Sequence, residues 1–165
     1  MQDAYRGEPS RAGWTTEADL LDGQRVDGAM VAGAQADPGV EVLLAEESGR
    51  LLACCQLTRP DESGIASFGM FAVDPPLQDR GLGRELLAEA ERIALVDWGA
   101  ERLQMTVIEL RTELIQWYER RGYRRTGEVR PFPSGDERFG LPRRDDLRFA
   151  VLDKQLGRHD PSNGG

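Results

Sequence analysis

The sequence predicts an α+β domain: a mixed, mostly antiparallel sheet with helices on its faces. Three observations predict it. Short apolar runs follow one another from Glu41 to Val73 as in a strand meander. An amphipathic helix then joins two strands, and a last alternating strand follows a long loop. The 165 residues are enough for one domain with a real core, and 39% hydrophobic with 30% charged residues is ordinary for a soluble chain.

Residues 1 to 16 carry Gly7, Pro9 and Gly13 and read as an irregular arm. Val26, Met30 and Val31 fall at helical spacing, which predicts a short helix from about Val26 to Ala36, ended by Asp37-Pro38-Gly39. Glu41–Glu46 and Leu51–Thr58 are apolar strands joined by the turn Glu47-Ser48-Gly49-Arg50, a β-hairpin. Ile65–Val73 is the third strand of the meander.

The helix from about Gly83 to Trp98 sets Leu86, Leu87, Ala90, Ile93, Ala94 and Trp98 on one side and Glu85, Glu89, Glu91 and Arg92 on the other, with Gly99 at the C′ position. Leu103–Ile108 is then a strand parallel to the one before the helix, because a crossover helix joins them. A second helix runs from about Thr112 to Arg121, with Thr112 as N-cap and Gly122 at C′. Tyr123–Val129 is a strand, residues 130 to 146 a long loop and Leu147–Leu152 the last strand. One domain is expected over 1–154, with 155–165 a disordered tail.

Composition excludes several function classes. The longest apolar run, Leu51–Cys55, is far too short to span a membrane, and the N-terminus lacks a basic-then-apolar signal pattern, so no membrane partner and a cytoplasmic location are expected. The net charge of −8 argues against nucleic-acid binding. It mildly favours neutral or cationic substrates such as amines, and it serves solubility equally well. Cys54 and Cys55 are adjacent on a strand, point to opposite faces and lack metal-ligand spacing. His159 is the only histidine and lies in a polar tail, which excludes a multi-histidine metal site and argues against a Ser-His or Cys-His nucleophile; no metal is expected.

Chemistry concentrates between Phe68 and Arg84. Asp74-Pro75-Pro76 stops the strand, and Gln78-Asp79-Arg80-Gly81-Leu82-Gly83 leads into the helix. Gly81 and Gly83 let the backbone approach a ligand with its N–H groups turned outward, and the helix N-terminus adds unpaired N–H groups and partial positive charge. Arg80 and Arg84 add full charges. This suits a phosphate or pyrophosphate. The same residues also fit a plain βα turn with surface arginines. Rossmann and P-loop patterns fail, since there is neither a third glycine nor a Gly-Lys-Ser/Thr.

The Gln-x-x-Gly-x-Gly of Gln78–Gly83, after a strand ending Val73-Asp74-Pro75, resembles the acetyl-CoA signature of the GNAT N-acetyltransferase superfamily. A second stretch, Trp117-Tyr118-Glu119-Arg120-Arg121-Gly122-Tyr123, resembles that family's Tyr-x-x-x-Gly-Phe, and Gln78 and Tyr118 lie 40 residues apart, as the family requires. The resemblance covers about Glu41 to Lys154. It implies a GNAT-type sheet in which the strands flanking the first helix form a parallel, splayed pair. It also implies a first strand that is missing or shortened here, since only four residues precede Tyr5. A missing edge strand would expose its neighbour and invite homodimerisation.

What the resemblance implies for function is transfer of an acetyl group from acetyl-CoA, a co-substrate, to a primary amine of a small molecule or peptide. The pantetheine arm would lie on the backbone of Phe71, Ala72 and Val73. The phosphates would meet the N–H groups of about Asp79 to Arg84, with Gln78 in the same motif. Tyr118 matches the tyrosine beside the CoA sulfur; a phenol with a reference pKa near ~10 can protonate a leaving thiolate. Tyr118 also fits a plain core tyrosine sharing a face with Leu114 and Ile115. Arg120, Arg121, Arg124 and Arg125 supply charge for the 3′-phosphate of CoA or compensate the helix dipole.

Three positions depart from the pattern. Ser67 and Thr106 stand where relatives carry a glutamate base, and Arg111 stands where the family has an asparagine seven residues before the tyrosine, which makes Arg111 a cofactor-binding candidate. The base is therefore open: Glu109 is best placed, Glu46 and Glu17 less so, and water relaying the proton serves equally. A catalytically weak or inactive acyl-CoA-binding module is the alternative, which the missing base and short N-terminus support.

Overall fold

A computed structural model describes residues 36–78, 80–131 and 147–157, and the backbone of 21–22 and 141–142. The predicted arm, the predicted helix up to residue 35, Glu17, Asp79, His159 and most of the 130–146 loop lie outside the described residues.

Six strands form the central sheet: β2 (Val40–Glu47), β3 (Arg50–Thr58), β4 (Ile65–Val73), β5 (Arg102–Ile108), β6 (Arg124–Pro131) and β8 (Arg148–Gln155), in the spatial order β2-β3-β4-β5-β8-β6. The pair β4–β5 is parallel, and the other neighbours in this sheet are antiparallel. Two short strands, β1 (Leu21–Asp22) and β7 (Leu141–Pro142), pair with each other outside it. The sheet follows from local chemistry. Ser48 and Gly49 at positive φ close the β2–β3 hairpin, and strict alternation in β3 buries Ala53, Cys55 and Leu57.

Helix α1 (Leu82–Arg92) crosses from β4 to β5 and buries Leu86, Leu87 and Ala90. Its extension differs from a plain helix. Ile93–Asp97 widens into a π turn in which Trp98 N–H donates to the Ile93 carbonyl, before Gly99 at φ 65 ends it. Helix α2 (Thr112–Glu119) is shorter than predicted. Thr112 is its first helical residue rather than its cap; Arg111 holds the cap position and no side chain caps the end. Gly122 at φ 96 stops it, and Tyr123 N–H reaches back to the Tyr118 carbonyl.

Both described helices pack on one face of the sheet, in a single core with Phe68, Phe71, Leu103, Met105 and Val107. Elements on the opposite face belong to the expectation for residues before 36, outside the described range. The last strand continues past Leu152 to Gln155, and Leu156 is buried, so the ordered chain runs further than the tail boundary at 155 predicts. Apolar contact explains this: Leu156 joins the main core. No described helix is long and apolar enough to cross a membrane.

Candidate functional site

The parallel pair comes apart. β4 and β5 are in register only over Ile65–Ser67 against Arg102–Gln104. On its other side β4 stays on β3, but Cys54 pairs with Ala72 while Gln56 pairs with Gly69. Two steps on β3 thus match three on β4, which is a β-bulge. Met70 carries it at φ 48, a conformation uncommon for a residue with a Cβ, and the Cys54 thiol donates to the Met70 carbonyl at 3.6 Å. Meanwhile β5 stays paired with β8 along its whole length. Beyond Ser67 the facing edges of β4 and β5 are therefore out of each other's ladder, and a wedge opens between them.

That wedge is a cavity of about 50 Å³, lined on the strands by Phe68–Phe71 and Met105–Ile108 and closed by Arg111, Leu114, Tyr118 and Phe149. Tyr118 is buried at 4% exposure, its ring 6.5 Å from Phe71, 5.1 Å from Trp117 and 5.8 Å from Tyr123. It belongs to the core and to the cavity wall at once.

At the C-terminal end of β4 the chain turns through a 3₁₀ segment, Pro75–Leu77. Gln78 Nε2 donates to the Val73 carbonyl at 3.2 Å, so the motif glutamine fastens the loop to the strand. Gly81 then sits at φ 84 as the helix cap. The first helical bond is Glu85 N–H to the Gly81 carbonyl, which leaves the N–H groups of Leu82, Gly83 and Arg84 outside the helical ladder at the positive end of α1. A left-handed glycine, free helix-end amides and the flanking Arg80 and Arg84, both exposed, make a fitting cradle for a diphosphate. Gly83 does a different job: a Cβ there would lie 3.0 Å from Phe71 Cζ, so this glycine lets α1 close onto β4.

The arginine cluster divides. Arg121 stacks 3.7 Å over the Trp117 ring and donates to the Trp117 carbonyl at 2.7 Å. Burial, then the charges of Arg120 and Arg84, pull its pKa below the usual arginine value. Arg84 from the α1 end and Arg120–Arg121 from the α2 end therefore share one positive patch. Arg124 and Arg125 lie on β6, whose side chains are all exposed.

The predicted bases are scattered. Glu109 does not line the cavity; its backbone N–H donates to the Arg148 carbonyl at 2.8 Å and its carboxylate meets Arg148 Nη2 at 3.3 Å. Glu46 is exposed on the edge strand β2. Among the described residues no group of acidic, histidine or cysteine side chains could hold a metal ion. Arg111, a cofactor-binding candidate from the sequence, is the one charged side chain buried among the described residues, at 9% exposure, and it lines the cavity. One feature escaped the sequence reading. Glu91 accepts from Tyr123 Oη at 2.8 Å and pairs with Lys154 Nζ at 3.0 Å, tying α1 to the segment after α2 and to β8. Residues 32 and 63 positions apart give no local sequence signal for such a cluster.

A model of the acetyltransferase (GNAT) family matches residues 4–123. An S-(2-succino)cysteine N-acetyltransferase of Bacillus subtilis (strain 168) is 36% identical over 93 residues, covering 50% of this chain and 54% of that protein. The chain thus spans about half the length of that curated relative. The ribosomal-protein-S18-alanine N-acetyltransferase from Escherichia coli superposes with a TM-score of 0.63 at 17% identity, over 91% of this chain and 89% of that one. The PaiA N-acetyltransferase from Thermoplasma acidophilum, solved in complex with coenzyme A, gives 0.57 at 16% identity over 76% and 67%. These two likenesses carry the fold, and the family model spans the strand, glycine turn and tyrosine helix described above: the chain belongs to the acetyltransferase (GNAT) family.

Proposed function

We propose that this protein is an acyl-CoA-dependent N-acetyltransferase, moving the acetyl group of acetyl-CoA directly to a primary amine of a small molecule or peptide. The observation that carries the reading is the opening of β4 from β5 at the Met70 bulge, leading without interruption into the Gly81 helix end. A donor with amides in its arm and a diphosphate behind them matches that sequence of surfaces. The bound co-substrate supplies an activated thioester. Everything else is done by this chain.

The freed β4 edge at Phe71, Ala72 and Val73 holds the amide-bearing arm as a partner strand would, and one of its N–H groups polarises the thioester carbonyl. The N–H groups of Leu82, Gly83 and Arg84, with those of Asp79, Arg80 and Gly81, bind the diphosphate; the charge shared by Arg84 and Arg120 adds to it. Tyr118 Oη gives its proton to the departing thiolate. Among the described residues no carboxylate lines the cavity, which supports water, or Glu109 through water, as the acceptor of the amine proton. The Bacillus subtilis relative is named for an S-substituted cysteine, an α-amino acid, and this favours a small amino-acid amine over a protein one.

A mass-spectrometric acetylation screen over small amines, amino acids and peptides, run beside calorimetric titration with acetyl-CoA, tests the reading. Acetyl-CoA binding with turnover on at least one acceptor supports it. Binding without turnover on any acceptor would leave an acyl-CoA-binding module, and no binding at all would sink both.

A further inference from the structure

The wedge has a closed end as well as a mouth. The last ladder step between β4 and β5 is Ser67 against Gln104. The next residue on each strand, Phe68 and Met105, is buried at 5% and 4% exposure. Both line the cavity and both belong to the main core, so the space between the strands stops at their side chains. The Phe68 ring is held in turn by Phe71, 5.3 Å away between centroids. Core side chains packed in this way leave few voids to expand into.

The direction of β4 gives the wedge a polarity. With the donor's diphosphate at Gly81 and its arm on Phe71–Val73, the tip of the donor advances down β4 toward Phe68 and Met105. That tip is the acyl group. The cavity measures about 50 Å³, and a water needs about 10–15 Å³ of such space, so there is room for about three to five water-sized groups. An acetyl group has three heavy atoms and a propionyl group four. A butyryl group has five, and a methylene is no smaller than a water. The lining is more polar than apolar, because the strand edges that leave each other's ladder bring backbone N–H and C=O groups to it. Such a lining suits a carbonyl followed by a methyl. An alkyl chain would cover those groups and give them no hydrogen bond in exchange.

We infer that Phe68 and Met105 set the length of acyl group this protein accepts, admitting two or three carbons and refusing four. They are specificity residues for the donor. A longer chain must push into the packed core or draw the thioester carbon back from Tyr118, and a misfit of one methylene is worth about 10- to 200-fold in discrimination. This rests on the acetyltransferase reading above and adds to it the residues that exclude larger acyl-CoAs.

The test needs no acceptor. Calorimetric titration of the full chain with acetyl-, propionyl-, butyryl- and hexanoyl-CoA reads the limit. The wild type is expected to bind propionyl-CoA within about 3-fold of acetyl-CoA, and butyryl-CoA at least about 10-fold more weakly. Met105→Ala removes the side chain beyond Cβ. It should bring butyryl-CoA to within about 3-fold of acetyl-CoA while acetyl-CoA itself changes by less than about 3-fold. A structural role alone would weaken all four donors alike. Met105→Ala also leaves a cavity in the core, which costs stability. Met105→Val, β-branched and suited to a strand, and Phe68→Leu open the same end by less, and each should relax the limit in the same direction. Butyryl-CoA bound by the wild type as tightly as acetyl-CoA would overturn the inference, and so would variants that fold and still refuse butyryl-CoA. No affinity of the wild type for acetyl-CoA or CoA would instead sink the proposed function.

Discussion

Gly83 faces the tip of the Phe71 ring so closely that a Cβ on Gly83 would stand 3.0 Å from Phe71 Cζ and 3.5 Å from Val73 Cγ2. The glycine of the helix end and the strand residue at the wedge are thus set by one contact. Gly83→Ala gains about 0.5–1 kcal/mol of helix propensity but forces the ring aside, an overpacking cost of about 1–3 kcal/mol. A net loss of about 1 kcal/mol in chemical denaturation is expected. Phe71→Leu in the same chain should restore part of it, and additive losses from the two changes would show that they do not communicate.

Gly81 answers to a different constraint. At φ 84 it is left-handed, and a Cβ there would find only Arg84 Nη2, at 3.4 Å. Space is available, but the backbone conformation is not. Gly81→Ala is expected to cost about 1 kcal/mol, and Gly81→Asn less, since asparagine tolerates this region. Relaxing the turn would swing the amides of Leu82 and Gly83 off their common target, so acetyl-CoA affinity should fall by more than stability does. A calorimetric titration in which Gly81→Ala binds acetyl-CoA as the wild type does would separate the turn from the diphosphate.

Local periodicity made the elements legible: Ile65–Val73 begins and ends where the sequence predicts, and α1 begins within one residue of its predicted start. What stayed hidden was set by distant partners. The widened turn at Ile93–Asp97 has the same apolar spacing as a regular helix, so no pattern marks it. The splay could be expected only through resemblance, because Phe68–Val73 reads as an unbroken strand although Met70 breaks it. The Glu91–Tyr123–Lys154 cluster joins three elements, and each of its members looks like a solvated or core residue by itself. At the candidate site, Tyr118 was legible from its motif, whereas burial of Arg111 depends on how α2 seats against β5 and cannot be read from spacing.

Two buried acids give the fold an alkaline limit. Burial, reinforced by Cys54, pushes the Cys55 thiol up from 9.0 to about 12. Burial, then the charge of Glu91 and their hydrogen bond, raises the Tyr123 phenol far above its ordinary value. In both cases the folded state holds the proton more tightly. Their contribution is therefore fully present below the unfolded values, near 9 for the thiol and about 10 for the phenol, and is lost as pH rises toward the folded ones. Stability should fall between pH 9 and 12, by up to about 4 kcal/mol from Cys55 alone. Cys55→Ala should lower the plateau through its cavity yet flatten the slope from pH 9, and Tyr123→Phe should flatten it above about pH 10. Denaturation curves from pH 7 to 11 read the slopes directly; unchanged slopes in both variants would place the alkaline limit elsewhere.

The proton path is tested at Tyr118. Tyr118→Phe keeps the ring that packs against Phe71, Trp117 and Tyr123, so folding and acetyl-CoA affinity should survive. If the hydroxyl protonates the leaving thiolate, kcat should fall by about 10²-fold, the low end for general acids because the CoA thiol is itself a fair leaving group. Acyl donors with more acidic thiols need less help, so the deficit should shrink with them. A variant with wild-type kcat would make Tyr118 a packing residue only; loss of donor binding together with kcat/KM would make it a positioning residue. Glu109→Gln completes the pair. Its carboxylate is held by Arg148 at 3.3 Å and stands away from the cavity wall, so a direct part in the reaction needs a bridging water. A flattened alkaline-rising limb in the kcat/KM profile of Glu109→Gln would put it on that path. A profile that matches wild type would leave the amine proton to water alone, the simpler arrangement for a cavity whose described walls carry no carboxylate.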